Sequence, residues 1–371
     1  MRIGIDASNI RAGGGLTHLI ELINSVRPLN HGIVEINVWA SQSTLSKLPN
    51  TEWLIKQSHP FLNKSILFRI IWQKFIMSKE AEKYCDILFL PSGNTSGFHP
   101  YVSMCQNLLP FESEEKARFG LSFTRLRLEL LKWNQCQSFR KAEGVIFLSD
   151  YSIEKVEEAC GSLNNAQVIS HGVSDIFRSN SIERKDRQKI KLLYVSIINM
   201  YKHQWQVVRA IHRLLDLNYN LELTLVGSQY PPALLKVKDT IEERPEYRQY
   251  VHIESKIPYE QLPEVYREHD IFVFASTCET FGMIVLEAMA SGLPVACSDK
   301  SSMKEILGDA GIYFDPLNVD DISYAIQKYL DDTALRRSMG EKAHLRSEGY
   351  SWEKCAEDTL GYITEVHKEY S

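Results

Sequence analysis

Apolar residues in the first half of the chain form short continuous runs, separated by segments in which they recur at helical spacing. Five such runs, each bounded by turn residues, predict buried strands. These strands are residues 2–6, 34–40, 87–90, 144–148 and 168–169. Residues 16–26 and 153–159 place apolar side chains three and four positions apart, which predicts helices. Strands that alternate with helices are typical of a parallel sheet with helices on both faces.

The same pattern restarts after a polar stretch at residues 180–189. The predicted strands are residues 191–197, 222–226, 251–254, 271–275, 294–298 and 311–314. The predicted helices are residues 203–215, 259–268, 285–291, 321–329 and 333–347. We therefore predict an α/β fold of two doubly wound, Rossmann-like domains that face each other across a cleft. The predicted domains are residues 1–172 and 191–350, with a linker at 173–190 and a last helix, 351–371, that crosses back to the first domain.

Composition and charge exclude several classes of protein. The 371 residues are 44% hydrophobic and 24% charged, which is ordinary for a globular chain. The net charge of −5 argues against a nucleic-acid partner. No signal peptide is predicted, and no run of about 18 apolar residues predicts a transmembrane helix. The seven cysteines are odd in number and widely spaced, which favours a reducing compartment over a disulfide framework. We expect a cytoplasmic protein.

The segment from residue 278 to residue 295 combines groups that suit a sugar phosphate. Glu279 follows a predicted buried strand, Gly282 allows a close turn, and a helix is expected to begin near Met283. A helix N-terminus offers unpaired backbone N–H groups and a positive dipole end to an anion. Glu287 lies one turn into that helix, so two carboxylates flank the same place and can accept hydrogen bonds from sugar hydroxyls.

This segment, Glu279-x7-Glu287 followed by Ala-Met-Ala-x-Gly-x-Pro-Val, resembles the donor-site signature of glycosyltransferase family 4, of the bacterial surface-polysaccharide or O-antigen type. Other stretches of the second half are similar to the same family. They are residues 302–314, Tyr194-Val195 with Lys202, Leu225-Val226-Gly227, Leu262-x3-Tyr266 and Ser351-Trp352. The first half matches more loosely, through residues 13–15, 149–152 and 171–172. The resemblance implies the two-domain GT-B fold, with the acceptor side in the first domain and the nucleotide sugar in the second.

The resemblance also implies a role for each matched residue. Lys202 and Glu279 would be catalytic, Lys202 by neutralising the diphosphate and Glu279 by binding the transferred sugar. Glu287 would bind the ribose hydroxyls. The other donor-binding residues would be Ser196, Thr280, Phe281, Gly282, Met283, Gly14 and Gly15. The residues assigned to an acceptor or donor sugar are His18, Asn107 and His171.

The activity implied by this resemblance is that of a retaining hexosyltransferase. It would move a sugar from a GDP-mannose-like or UDP-sugar donor to a lipid-linked or oligosaccharide acceptor in O-antigen or capsule biosynthesis. No cofactor and no metal are expected, since the leaving diphosphate would itself help to deprotonate the acceptor hydroxyl. Catalysis would then be mostly positioning and charge stabilisation. The alternatives are a GT-B nucleotide-sugar epimerase and a non-catalytic sugar-binding partner.

Two departures from the family pattern bear on the donor site. The family usually has Gly-Arg after the strand that precedes the lysine, and this chain has Ser196-Ile197. The helix dipole, Lys202 and either His203 or Arg209 would have to compensate for the lost cation. A family His-Asp pair appears here as Gln106-Asn107.

Residues 63–79 and 116–141 interleave cations with aromatic and aliphatic side chains. Residues 1–170 hold 18 Lys+Arg and 16 Asp+Glu, a balance of +2, which leaves −7 for residues 171–371. One interpretation is that both segments are amphipathic helices that cover a core, with cations reaching to solvent. The other is a cationic, apolar face that rests on anionic lipid at the inner face of the cytoplasmic membrane. Both interpretations stay open at this point.

Overall fold

The computed structural model describes residues 1–94, 97–163, 165–178 and 188–370. The chain divides into two compact units. Unit 1 comprises Met1–Ser113, Leu121–Gly172 and the chain from Tyr350 onward, and unit 2 comprises Glu114–Gly120 and Val173–Gly349. The predicted linker overlaps residues 179–187, which lie outside the described residues, and the predicted domain boundaries remain a prediction.

Each unit contains one parallel sheet, which confirms the predicted α/β fold. In the described part of unit 1 the strand order is β3-β2-β1-β4-β5-β6-β7, and in that of unit 2 it is β10-β9-β8-β11-β12-β13. The strands of unit 1 are β1 (Arg2–Asp6), β2 (Glu35–Trp39), β3 (Leu54–Gln57), β4 (Ile87–Leu90), β5 (Tyr101–Met104), β6 (Gly144–Phe147) and β7 (Ala166–Val168). Those of unit 2 are β8 (Ile190–Val195), β9 (Leu221–Val226), β10 (Val251–Glu254), β11 (Ile271–Phe274), β12 (Val295–Ser298) and β13 (Gly311–Phe314).

Helices connect these strands. Those up to residue 160 are α1 (Gly14–Ser25), α2 (Gln42–Leu45), α3 (Ile66–Phe75), α4 (Met77–Tyr84), α5 (Ser113–Ala117), α6 (Phe123–Lys141) and α7 (Asp150–Cys160). The later ones are α8 (Gln204–Asp216), α9 (Pro231–Glu242), α10 (Leu262–Arg267), α11 (Met283–Ala290), α12 (Met303–Leu307), α13 (Val319–Asp331), α14 (Thr333–Ser347) and α15 (Trp352–Tyr370). Strands β4, β6 and β11 are apolar and wholly buried, as expected for strands covered on both faces.

The strand order places the ligand-binding edge of unit 2. Its sheet has the 3-2-1-4-5-6 arrangement, in which connections run in opposite directions on either side of β8 and β11. Open parallel sheets bind ligands outside the carboxyl ends of their strands, where the order reverses. The loops that follow β8 and β11 therefore define the place to look for a site.

The structure adds elements that the apolar pattern missed. Strand β3 ends in Lys56-Gln57, and β5 contains Ser103, so neither forms a long apolar run. Helix α9 begins with two prolines, which fit the first turn of a helix but obscure it in the sequence.

The structure differs from the sequence interpretation in two places between residues 116 and 160. The basic stretch 116–141 is not one helix, because α5 ends at Ala117 and α6 begins at Phe123 after the N-cap Ser122. Cys136 and Cys160 form a disulfide between α6 and α7, with their Cα atoms 5.2 Å apart. Cysteine count and spacing gave no sign of this pair, because the packing of α6 against α7 brings together residues that are 24 positions apart.

Candidate functional site

Lys202 and Glu279 meet at the switch point of unit 2. Lys202 follows β8 and Glu279 follows β11, and the Lys202 ammonium forms an ion pair with Glu279 Oε1. The ammonium also lies 4.9 Å from the ring centroid of Phe274 and 5.0 Å from that of Tyr201. Lys202 is buried and Glu279 half-buried, so this pair is shielded from water. A shielded ion pair beside aromatic rings is more strongly coupled than one in solvent.

A buried tyrosine fixes the position of Lys202. The Tyr194 hydroxyl donates to the Lys202 carbonyl at 2.5 Å and accepts from the Ala275 N–H at 3.2 Å. Burial, and then the nearby Glu279 carboxylate, raise the pKa of Tyr194 far above its ordinary value, so the hydroxyl keeps its proton. Tyr194 thereby joins the loop after β8 to the end of β11. The sequence identified Tyr194 only as a landmark of the resemblance.

Further bonds join the same two loops. The Thr277 N–H donates to the Tyr201 carbonyl at 2.9 Å, and the Thr277 hydroxyl lies 3.1 Å from His203 Nε2. His203 has a φ of 49°, a left-handed conformation that turns the chain into α8. The relative position of Lys202 and Glu279 is therefore built into the fold of unit 2.

Neither of the two compensating cations suggested by the sequence is available. Burial, followed by the charges of Arg118 and Lys236, lowers the pKa of His203 to about 3, so its ring is neutral. Arg209 donates to both carboxylate oxygens of Glu243, at 2.9 and 2.5 Å. The positive charge that replaces an arginine at position 197 must come from elsewhere.

The loop from Glu279 to Met283 presents backbone N–H groups. Gly282 has a φ of 103°, a conformation that L side chains rarely adopt, and a Cβ at this position would lie 2.5 Å from the end of the Met303 side chain. The Ser302 hydroxyl donates to the Phe281 carbonyl at 2.9 Å, and this hydrogen bond helps to fix the loop. No described residue accepts a hydrogen bond from the N–H of Gly282 or Met283. The start of α11 therefore has the open donors expected of an anion site.

Glu287 is buried in α11, one turn beyond this loop. The Tyr266 hydroxyl lies 2.9 Å from Glu287 Oε2. Burial raises the pKa of Glu287 to about 8, and the hydrogen bond from Tyr266 opposes the increase. Glu287 is therefore mostly protonated at pH 7, when it can both donate and accept hydrogen bonds.

The remaining predicted donor residues of unit 2 lie in the same loops. Ser196 is buried at the end of β8, where its N–H donates to the Val226 carbonyl at 2.9 Å and its hydroxyl to the Ile197 carbonyl at 3.1 Å. Thr280 is half-buried between Glu279 and Phe281, and Phe281 is buried. The structure thus gathers Lys202, Glu279 and the Ser196 loop at one edge, while the contacts of each with a ligand remain predictions.

In unit 1, the glycine loop precedes α1. Gly13 has a φ of 69°, and α1 begins at the exposed Gly14. A Cβ on Gly15 would lie 3.0 Å from Gln106 Oε1, so the loop packs closely against the residue that follows β5. Asn107 is exposed, and its side-chain oxygen accepts from the Leu109 N–H at 3.2 Å.

His18 and His171 form a buried pair in unit 1. Their rings stack at 4.7 Å between centroids, and Trp352 lies 5.9 Å and 5.4 Å from them. His18 is 0% exposed, its Nδ1 lies 2.8 Å from Gln106 Nε2, and burial lowers its pKa to about 4. Both rings are neutral, since burial and the neighbouring His18 also lower the pKa of His171. Their predicted sugar contacts remain predictions and would need this pair to open.

Among the described residues, no group of three or more His, Cys, Asp or Glu side chains has the arrangement of a metal site. No helix in the described part of the chain is long and apolar enough to cross a membrane.

Two parallel Rossmann-like sheets in one chain are the architecture of the GT-B fold. Residues 175–346 match the family described as "Glycosyl transferases group 1". The matched residues all lie within unit 2, and the match agrees with the resemblance found in the sequence.

The chain is also similar to individual glycosyltransferases, in sequence or in fold. The chain is 32% identical over 168 residues to O-antigen chain mannosyltransferase B from Escherichia coli, which covers 45% of this chain and 44% of that protein. It spans about half the length of the curated relatives it matches. Among solved structures, WaaG, a glycosyltransferase involved in lipopolysaccharide biosynthesis, has a TM-score of 0.74 at 16% identity over 98% of this chain and 99% of its own. Anabaena HepE, solved with UDP and glucose, has a TM-score of 0.72 at 17% identity, over 98% of this chain and 100% of its own.

Proposed function

We propose that this protein is a glycosyltransferase that moves a sugar from a nucleoside-diphosphate donor to a growing bacterial surface glycan. The observation that carries the proposal is the convergence of Lys202, Glu279 and the open N–H groups of Gly282 and Met283 on one edge of unit 2. This edge offers a cation and N–H donors to a diphosphate and carboxyl groups to sugar hydroxyls. The family match of residues 175–346 and the similarity to the O-antigen mannosyltransferase support the same proposal.

Each group at this edge has a proposed task. Glu287 binds the ribose hydroxyls, for which its protonated carboxyl provides one donor and one acceptor. Glu279 accepts hydrogen bonds from the transferred sugar. Lys202 and the N–H groups at the start of α11 stabilise negative charge on the leaving diphosphate, which is electrostatic catalysis by groups already in place.

The proposed reaction retains anomeric configuration and uses no metal or cofactor. The bond between the anomeric carbon and the diphosphate oxygen breaks, and the acceptor oxygen bonds to the same face of the sugar. The acceptor proton passes to the leaving diphosphate. In this scheme the protein positions both substrates and stabilises charge, and needs no separate protein base.

We also propose that the acceptor is lipid-linked and that unit 1 contacts anionic lipid. Helix α3 buries only Trp72 and exposes six large apolar residues. These residues are Ile66, Leu67, Phe68, Ile70, Ile71 and Phe75. In α6, Phe123 is 80% exposed and Trp133 66% exposed, among the cations Arg125, Arg127 and Lys132. Exposed apolar side chains interleaved with cations suit an interfacial helix on an anionic membrane better than a helix that covers a core.

The test is a transfer assay with defined donors. The purified chain is incubated with GDP-mannose, UDP-glucose, UDP-galactose or UDP-N-acetylglucosamine and a lipid-linked oligosaccharide extract, and nucleoside-diphosphate release is measured. We expect release with one donor class only, undiminished by EDTA, and an NMR spectrum of the product with the donor's anomeric configuration. Glu287→Ala should weaken binding of that donor about tenfold or more, because buried hydrogen bonds to the ribose are lost. The exposed Glu341→Ala in α14 serves as the control.

Other outcomes would contradict the proposal. Conversion of a UDP-sugar to its epimer without an acceptor would identify an epimerase. Donor binding without nucleotide release for every acceptor extract would identify a non-catalytic sugar-binding protein. Inversion of the anomeric centre, or loss of activity in EDTA with recovery on adding Mg²⁺, would overturn the proposed mechanism while leaving the transfer activity in place.

A further inference from the structure

The charges at the switch point of unit 2 do not balance a diphosphate. A nucleoside diphosphate carries more than one negative charge at pH 7, and the Lys202 ammonium is already paired with Glu279. His203 is neutral, and Arg209 is held by Glu243. A bound diphosphate therefore requires further cations near the Lys202 turn.

Residues 114–120 bring one such cation to this edge. They belong to unit 2, although the residues on either side belong to unit 1. The Phe119 ring lies 6.0 Å from the Tyr230 ring, and the Tyr230 N–H donates to the Ile198 carbonyl at 2.9 Å. Ile198 lies in the turn between β8 and Lys202. Phe119 is thus anchored beside that turn, and Arg118 is its neighbour in the chain.

The same segment extends toward β12. Lys300, two residues past β12, has its pKa raised mainly by Asp299 and also by Glu114. Glu114 therefore lies near the end of β12, whereas Phe119 contacts the loop after β9. Residues 114–120 run along the carboxyl ends of the strands of unit 2, where ligands of such sheets bind.

Lys236, from α9, provides the second cation. Its ammonium lies 4.0 Å above the ring of Trp205, and that ring lies 5.1 Å from the His203 ring. Among the described residues, no carboxylate lies within ion-pair distance of Lys236. Arg118 and Lys236 both act on the pKa of His203, so both charges are close to the residue after Lys202.

Glu115 holds the Arg118 side chain in place but uses only one of its three guanidinium nitrogens. The Arg118 Nε donates to Glu115 Oε2 at 2.7 Å, and the Arg118 side chain is 27% exposed. No described residue accepts a hydrogen bond from its two terminal nitrogens, which are therefore available to a further anion. A guanidinium held at one nitrogen can present the other two to phosphate oxygens as a fork.

We propose that Arg118 and Lys236 form the diphosphate-binding cation pair of this site. The inference rests on the proposed function, since it assigns two further residues to the nucleoside-diphosphate donor. Lys202, held by Glu279, then acts on the part of the diphosphate next to the transferred sugar, and Arg118 and Lys236 bind the diphosphate from the side of α8 and α9. The anionic group recognised is the diphosphate itself, whichever nucleoside carries it.

The experiment compares nucleoside diphosphates with monophosphates. Isothermal titration gives the dissociation constants of UDP, UMP, GDP and GMP for the full chain at low salt. For the preferred nucleoside, the ratio of monophosphate to diphosphate constants measures what the second phosphate adds. We expect Arg118→Gln with Lys236→Gln to reduce this ratio about tenfold and to leave monophosphate affinity nearly unchanged. Added salt should reduce the wild-type ratio more than that of the double variant.

Control variants test whether a change in this ratio comes from Arg118 and Lys236 rather than from any loss of positive charge in the region. Arg209→Gln removes a cation of the same region that Glu243 already neutralises, and should leave the ratio unchanged. Lys236→Gln alone alters an exposed side chain, so it tests the proposal without risk to the buried Glu115. Ile197 is 38% exposed in the turn before Lys202, and Ile197→Arg in the double variant should restore part of the ratio.

An unchanged ratio in Lys236→Gln and in the double variant, both folded as judged by thermal melting, would overturn the cation pair. An equal loss in Arg209→Gln would also overturn it, because general electrostatics would then account for the effect. If the wild-type chain binds none of the four nucleotides, the proposed function itself is wrong, and this inference falls with it.

Discussion

The Tyr266 hydroxyl donates a hydrogen bond to Glu287 Oε2 across 2.9 Å, and both side chains are buried. Tyr266 lies in α10 and Glu287 in α11, so the bond connects two helices of unit 2. The Glu287 carboxyl group is shielded from water and accepts a hydrogen bond from the Tyr266 hydroxyl. The protonation of Glu287, and with it the stability of the folded protein, therefore depends on pH.

Glu287 should make the protein less stable as pH rises toward 8. The unfolded carboxyl ionises near 4.5, whereas burial raises its pKa in the folded protein to about 8. The folded state then holds a proton that the unfolded state has lost, so the free energy of unfolding falls between about pH 4.5 and 8. Glu287→Gln should flatten this part of the curve, which urea unfolding at pH 5, 6.5 and 8 would measure. Equal slopes for the two proteins would contradict the buried, protonated carboxyl.

Mutations of Glu279 and of Lys202 should change the affinity for UDP or GDP in different directions. Because Glu279 neutralises Lys202, Glu279→Gln frees the ammonium for phosphate, and we expect UDP or GDP to bind as tightly as to wild type or a few-fold more tightly. Lys202→Ala should weaken the same binding about tenfold or more. Both variants should lose transfer activity. Calorimetry with the nucleotide alone separates the two, and equal weakening by both variants would show that the ion pair does not regulate phosphate binding.

Tyr194 should matter for turnover as well as for folding. Tyr194→Phe leaves the Lys202 carbonyl and the Ala275 N–H without their partner, at a cost of about 1–3 kcal/mol in unfolding free energy. Tyr329→Phe is the matched control, since this buried hydroxyl donates to the Val295 carbonyl at 3.0 Å on another strand. We expect similar losses of stability, but a fall in kcat only for Tyr194→Phe. Equal kcat values in the two variants would assign Tyr194 a purely structural role.

The exposed face of α6 should bind anionic vesicles. Replacing Phe123, Leu126 and Trp133 by serine should reduce sedimentation with vesicles of phosphatidylglycerol and phosphatidylcholine about tenfold or more, since each burial of a large apolar side chain adds about 1.5–3 kcal/mol. Wild-type binding should weaken with salt and be absent on pure phosphatidylcholine. The control replaces the exposed Leu235 and Leu345 of unit 2. Vesicle binding that survives the triple replacement would remove α6 from the membrane contact.

The apolar pattern and a few motifs were sufficient to predict the fold class. Alternating runs predicted a parallel α/β architecture, and Glu279-x7-Glu287 indicated the loop and helix that follow β11. The pattern missed β3 and β5, where polar side chains interrupt short strands. It also missed the break at 118–122, because cations and apolar residues continue through it at helical spacing.

The sequence by itself determined which segments form strands and helices, through the spacing of their apolar residues. It also determined the types of side chain at the carboxyl ends of β8 and β11. Only the tertiary structure decided which charges are available there. It paired Lys202 with Glu279 and Arg209 with Glu243, and it kept His203 neutral by burial. It also brought Arg118 and Lys236 within electrostatic range of His203. The physical reason is that the net charge at a site depends on distance and burial. Residues 202 and 279 come together, and residues 118 and 236 approach His203, only when unit 2 is folded.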